Sequence, residues 1–282
     1  MNIIFLIKCP DHTGLLANIS SFFYNSGFNI LQCRQYTDTL NEKYFMRIQL
    51  DGDGLKSSRR ELEAEFASFA AKYALEWSVH YSDYRPRVAI MVSKTSHCLY
   101  DLLERYTEGE IHCEIPLVIS NHPNLEYIAD QFKVPFYCHP VKKGEREQQE
   151  AAVLKLLSQH HIDLVVMARY MQILSNDFIA HYPEQIINIH HAFLPAFEGG
   201  DPYRRAYERG VKIIGATAHY ATLELDGGPI IVQDVEHISH EHTPSDLKQI
   251  GKDVERLVLA RAVKYHLENR ILVSDNHTVV FK

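Results

Sequence analysis

The chain has 282 residues, 46% of them hydrophobic and 23% charged, which suits two soluble globular domains, each with its own core. A net charge of −7 with no basic run argues against a nucleic-acid partner or a hold on anionic lipid. No stretch approaches the ~18 continuous apolar residues of a membrane span.

The opening run NIIFLIK (2–8) has no basic leader or small-residue cleavage site, so it reads as a first strand rather than a signal peptide. TGLLANISSFFYNSG (13–27) has helical spacing and stops on Gly27. FNILQCRQYTD (28–38) and KYFMRIQLD (43–51) alternate like strands, ELEAEFASFAAKYA (61–74) is an amphipathic helix, and LEWSVHYS (75–82) is a closing strand. That order is βαββαβ, the ferredoxin-like layout, complete within residues 1–82. The polar segment DYRPR (83–87) reads as a linker.

From 88 to 282 the rhythm changes. Strands at 88–93, 112–120, 134–139, 163–169 and 185–190 alternate with helices at 98–109, 125–132, 145–160 and 175–181. Such alternation predicts a doubly wound, mainly parallel Rossmann-like α/β sheet. GATAHYA (215–221) and PIIVQDVE (229–236) read as antiparallel additions, 245–269 as a long helix, and 270–281 as a hairpin turning at Asp275-Asn276.

The five cysteines are odd in number and scattered, with no C-x-x-C, which predicts reduced thiols in a cytoplasmic protein. Seventeen histidines include His190-His191 and His237-x-x-His240-x-His242. Neither group has the helical spacing or added carboxylate of a zinc hydrolase site, so no metal is expected. There is also no G-x-S-x-G and no cysteine in a nucleophile setting, which leaves covalent catalysis without support.

Ligands of open parallel sheets bind beyond the carboxyl ends of the strands. In INIHHAFLPAF (187–197), Asn188 and His190 stand at that end and, two residues apart, share one face. In HYATLELDGGPII (219–231), Asp226 precedes two glycines that can turn its carboxylate back toward them. Taken singly, each has an ordinary structural reading, Asp226 as a turn former among them. Together an amide, an imidazole and a carboxylate suffice for attack on a carbonyl: oxyanion donor, proton carrier, and the group that sets the imidazole's protonation and orients the attacking group.

These two segments resemble the folate-dependent formyltransferase fold, whose catalytic Asn, His and Asp fall on Asn188, His190 and Asp226. VSKTSHCLYDLL, LVISNHPNLEYIA, DLVVMARYMQILS and VLARAVKYHLENRILV extend the likeness to the formyltetrahydrofolate deformylase family across residues 85–282. CPDHTGLL at the first strand–helix junction extends it to that family's N-terminal ACT domain. The resemblance implies hydrolysis of 10-formyltetrahydrofolate to formate and tetrahydrofolate, supplying formate for purine biosynthesis and balancing one-carbon pools. It implies no cofactor beyond the folate substrate. The alternative is formyl transfer to an amine acceptor. A phosphorylated amine calls for a glycine-rich loop after the first strand of this domain, and VSKTSHCLYD (92–101) contains no glycine.

The resemblance also assigns one wall of the pterin slot to Arg169, Tyr170, Met171 and Leu174, and the other to Leu223, Leu225, Gly227 and Gly228. An amino-acid effector is implied at Asp11, His12, Thr13, Gly14 and Asn29, although His12-Thr13 departs from the family's basic-plus-proline pair. A homo-oligomer is expected, a tetramer favoured over a dimer. Ala192 stands where a serine is usual, and Glu198 and Asp201 add acid to a loop that is usually small or basic. Like charges there would weaken binding of an anionic folate tail.

Overall fold

The computed structural model describes residues 1–55, 58–142, 144–195 and 202–282. The chain divides into two compact units, Met1–Arg85 with Glu268–Ser274 and Thr278–Lys282, and Pro86–Leu267 with Asp275–His277.

The first unit runs β1 (Asn2–Pro10), α1 (Leu15–Asn25), β2 (Ile30–Asp38), β3 (Lys43–Asp51), α2 (Arg59–Lys72) and β4 (Glu76–Tyr81). Its sheet has the order β2-β3-β1-β4 with every neighbouring pair antiparallel, the ferredoxin-like arrangement. Phe5, Phe23 and Phe66 are fully buried where β1, α1 and α2 meet. Helix α2 begins two residues before the expected start because Ser58 and Glu61 form a reciprocal capping box, which satisfies otherwise orphaned amides of the first turn.

The second unit runs β5 (Arg87–Val92), α3 (His97–Thr107), β6 (Glu114–Ser120), α4 (Glu126–Gln131), β7 (Phe136–Cys138), α5 (Arg146–Gln159), β8 (Leu164–Met167), α6 (Asn176–His181) and β9 (Ile186–His190). It continues with α7 (Pro202–Arg209), β10 (Ile213–Tyr220), β11 (Ile230–His237) and α8 (Pro244–Leu267). The sheet order is β11-β10-β9-β8-β5-β6-β7. Pairs among β5 to β9 are parallel, and β10 and β11 add on antiparallel. This is the doubly wound sheet expected from the strand and helix rhythm. Strands β5, β6, β8 and β9 are almost wholly apolar and buried, as helices on both faces require, while the edge strand β7 is half-buried to exposed. Helix α7 was not among the elements read from the sequence; its eight residues are strongly polar.

The C-terminal hairpin, β12 (Ile271–Ser274) and β13 (His277–Val280), was expected to close the second domain. Most of it belongs to the first unit instead. The Arg47 side chain, buried on β3, donates to the carbonyls of Asn269 and Glu268, while Lys8 and Lys43 reach the Val273 carbonyl and the Ser274 hydroxyl. These bonds tie residues 268–274 to the face of the sheet away from α1 and α2, and they explain why β1 and β3 are buried on both faces.

Candidate active site

Strand β9 ends at the mouth of the second sheet and brings Asn188 and His190 into one cleft of about 780 Å³, a size suited to a small-molecule ligand. The loop between β10 and β11 forms another wall and carries Asp226, which holds φ at +54°. Left-handed backbone of this kind is tolerated by Asp better than by most side chains. The turn depends on Gly228, because a Cβ there would lie 1.9 Å from the Tyr220 carbonyl oxygen.

Asp226 Oδ2 lies 3.1 Å from His190 Nδ1, and Asp226 Oδ1 lies 3.5 Å from Asn188 Nδ2. The three expected residues therefore meet. Since a carboxylate only accepts, Nδ1 of His190 carries a hydrogen, and Nε2 is left buried with no protein partner among the described residues. Burial opposes ionisation of Asp226, but hydrogen bonds and charge from His190 and His219 outweigh it and hold the carboxyl well below the usual range.

His219 is a member of this group that the sequence reading missed. It is buried on β10, in register with Asn188 of β9. Its Nδ1 donates to the Tyr220 carbonyl at 2.9 Å, and its Nε2 lies 3.2 Å from Asn188 Nδ2 and 3.6 Å from Asp226 Oδ1, so that it accepts from the amide when neutral and faces the carboxylate as a donor when protonated. One amide hydrogen of Asn188 is thus held by His219. The other points toward Asp226 at the limit of a hydrogen bond and can turn to a developing oxyanion. His191, also unanticipated, stacks on His190 with ring centroids 5.0 Å apart. Burial, then the neighbouring Arg169 and His190 charges, push its pKa down to about 4.

Met171, Leu223 and Leu225 line the cleft with their apolar side chains more than half exposed, and Ile173 joins them. Exposed apolar groups on facing loops suit a flat heterocycle that would cover them. Tyr170 and Leu174 also line the cleft but belong mainly to the core, the Tyr170 hydroxyl accepting from Gln149. Gly227 and Gly228 do not line it; they serve the turn that presents Asp226. Ala192 is buried, and its carbonyl accepts from Thr217. Glu198 and Asp201 lie outside the described residues.

Arg169 lines the cleft at φ +65°, a conformation that costs a residue with a Cβ about 1–2 kcal/mol. Its Nε lies 3.4 Å from Glu255 of α8, whose side chain is 1% exposed. His97 Nε2 meets the same carboxylate at 2.7 Å, and the Tyr203 hydroxyl donates to it at 2.6 Å. Burial works against the Glu255 charge, but His97, Arg169 and Tyr203 together keep its pKa below the ordinary value. His97, Cys98 and Glu255 have donor atoms within 4.8 Å of one another, the one such trio among the described residues. A guanidinium beside Glu255 and a thiol that burial pushes toward its neutral form make this trio a poor cation site.

In the first unit, Asp11, His12, Thr13, Gly14 and Asn29 are all exposed. Gly14 caps α1 at φ +89°, and no side chain bonds to the first-turn amides.

The geometry now has a context among known proteins. The formyl transferase family model matches residues 86–263 and the ACT domain model matches residues 3–67. The formyltetrahydrofolate deformylase of Synechocystis sp. (strain ATCC 27184 / PCC 6803 / Kazusa) is 52% identical over 276 residues, covering 98% of this chain and 97% of its own. The crystal structure of a formyltetrahydrofolate deformylase from Pseudomonas syringae pv. tomato str. DC3000 superposes with a TM-score of 0.97 at 42% identity, covering 100% of this chain and 94% of that one. Glycinamide ribonucleotide transformylase 1 from Symbiobacterium toebii reaches a TM-score of 0.66 at 28% identity and covers 70% of this chain and 95% of its own. Fold and site together define an enzyme with a formyltransferase-type catalytic domain behind an ACT domain. The chain belongs to the formyltetrahydrofolate deformylase family.

Proposed function

We propose that the protein hydrolyses 10-formyltetrahydrofolate to formate and tetrahydrofolate, with Asn188, His190 and Asp226 as its catalytic residues. The observation that carries this reading is the His190 imidazole, held by Asp226 at Nδ1 with Nε2 left unpartnered at the cleft. The pterin lies between Met171 and Ile173 on one side and Leu223 and Leu225 on the other. Nε2 of His190 takes a proton from water as the water oxygen bonds to the formyl carbon, and Asp226 stabilises the imidazolium that forms. The Asn188 amide donates to the carbonyl oxygen as it becomes an oxyanion. When the tetrahedral intermediate collapses, the imidazolium returns the proton to N10, the C–N bond breaks, and formate leaves.

Formyl transfer to a phosphorylated amine is the weaker reading. The segment after β5 has no glycine, and its His97 is committed to Glu255, which leaves it poorly shaped to cradle phosphate. The full-length relatives, which span both units, bear the deformylase name. The cellular setting we infer is cytoplasmic: no disulfide joins any of the five cysteines, and no helix among the described residues is long and apolar enough to cross a membrane. The first-turn amides after Gly14, which no side chain caps, and the exposed Asp11, His12, Thr13 and Asn29 support an amino-acid effector site. The exposed edge strand β2 supports assembly into a homo-oligomer, with a tetramer favoured. Incubation with 10-formyltetrahydrofolate alone should give formate and tetrahydrofolate in equal amounts at a steady rate, unchanged by added glycinamide ribonucleotide. Consumption that requires the ribonucleotide would overturn the hydrolytic reading.

A further inference from the structure

A doubly wound sheet binds its ligand where the strand order reverses. In the second unit that point lies between β5 and β8, from which the chain proceeds outward in opposite directions. Here the opening is stitched shut. The Met171 amide donates to the Ser93 hydroxyl at 3.0 Å, and that hydroxyl donates to Asn121 at 2.7 Å. The segment after β8 is thereby pinned to the end of β5. Beside this stitch, Glu255 collects His97 from the start of α3, Tyr203 from α7 and Arg169 from the segment after β8.

Two local irregularities converge on this carboxylate. Arg169 occupies left-handed backbone, which a glycine would adopt without strain. Helix α8 carries Gly251 in its interior, one turn before Glu255, where a Cβ would sit 2.2 Å from the Tyr203 hydroxyl. An interior helix glycine is unfavourable unless something needs the space, and the Tyr203 ring needs it. Stability alone is a poor reason for such a group, because apolar side chains of equal volume stabilise a core as well as a buried ion pair does. A role at the cleft is the better account, since strained backbone gathers at functional sites.

We propose that Arg169, Glu255, His97 and Tyr203 form a polar plug that closes the β5–β8 end of the cleft and keeps nucleophiles larger than water from the formyl carbon. The proposal rests on the hydrolytic reading above. Arg169 and Tyr203 line the same cleft as Asn188, His190 and Asp226. The plug continues to the catalytic histidine through His191, whose ring lies 5.0 Å from that of His190 and 6.5 Å from that of Tyr203. An amine entering from this end would have to part the guanidinium from its carboxylate and leave the Arg169 charge buried without its counter-ion. Water needs no such rearrangement. The chemistry of the two nucleophiles is otherwise parallel. In each case a bond forms to the formyl carbon, the bond to N10 breaks, and N10 takes the proton the nucleophile gives up. The four side chains thus act as specificity-determining residues.

The test is a partition ratio, N-formylglycinamide over formate, measured from 10-formyltetrahydrofolate in the presence of glycinamide with a no-enzyme control subtracted. The ratio does not depend on total rate, so a slowed variant still reports. Wild-type protein should give formate alone. Arg169→Gly, which opens the plug and relieves the left-handed strain, should raise the ratio about tenfold or more above the control. Glu255→Gln, which keeps the volume but loses the charge partner, should move it in the same direction by less, and it stands as the test if Arg169→Gly does not fold. Folded variants that consume substrate and release only formate would overturn the plug. Wild-type protein that releases no formate without glycinamide would instead overturn the hydrolytic reading.

Discussion

The mouth of the second sheet and the start of α1 in the first unit are both strand-to-loop junctions, yet they are built in opposite ways. At the mouth, polar side chains converge under cover: His190 is 6% exposed and Asp226 21%. At the start of α1, Asp11, His12 and Thr13 are exposed, and no side chain caps the first-turn amides. Fixed, desolvated dipoles stabilise charge that appears during a reaction. Accessible amides suit a small carboxylate that arrives and leaves. Substitutions at the first junction should therefore change rate, and those at the second should change stability or response.

The largest effect is expected from Asp226→Asn. An amide cannot fix the His190 tautomer or stabilise its protonated form, so turnover should fall by about 10²–10⁴-fold and the pH–rate profile should change. Near-normal turnover with an unchanged profile would reduce Asp226 to a turn residue. Asn188→Ala follows, with an expected loss of about 10²–10³-fold in kcat and folate affinity nearly intact. Loss of affinity at unchanged kcat would contradict the oxyanion role.

Much of this contrast was legible in the sequence, for identifiable reasons. Asn188 and His190 sit two apart on an apolar run, so their shared face follows from strand geometry alone. The glycines after Asp226 announce a turn. His219 was not legible, because what joins it to Asn188 is the register between β9 and β10, and register depends on pairing partners distant in sequence. Glu255 reads as one more charged residue on a long helix; only the packing of α8 buries it. The C-terminal hairpin was visible as two strands and a turn. Its attachment to the first unit hangs on Arg47, a lone arginine in a strand whose carbonyl partners lie more than 200 residues away.

A subtler test of burial at the mouth is the pH dependence of stability. Burial lowers the His191 pKa from 6.5 to about 4, below its unfolded value. As pH falls, the unfolded chain takes up the proton first, so stability present above pH 6.5 is lost progressively between 6.5 and 4. Replacing His191 with Phe should remove roughly 3 kcal/mol of that loss across the interval, read from urea midpoints. An identical slope in the variant would show that His191 is not buried as described.

The smallest expected effect lies in the first unit. Gly14→Ala forces an L side chain into φ +89° and should cost about 1 kcal/mol in stability, measured by denaturant unfolding. Formate release should be unchanged. A large fall in turnover would break the contrast between a catalytic mouth and a sensing junction.

The most direct test of the whole account is the origin of the oxygen in the product. A single turnover of 10-formyltetrahydrofolate in ¹⁸O-labelled water should yield formate carrying one solvent oxygen, with its other oxygen retained from the formyl group. Formate without label, or no formate until an amine is supplied, would contradict water as the acceptor at Asn188, His190 and Asp226.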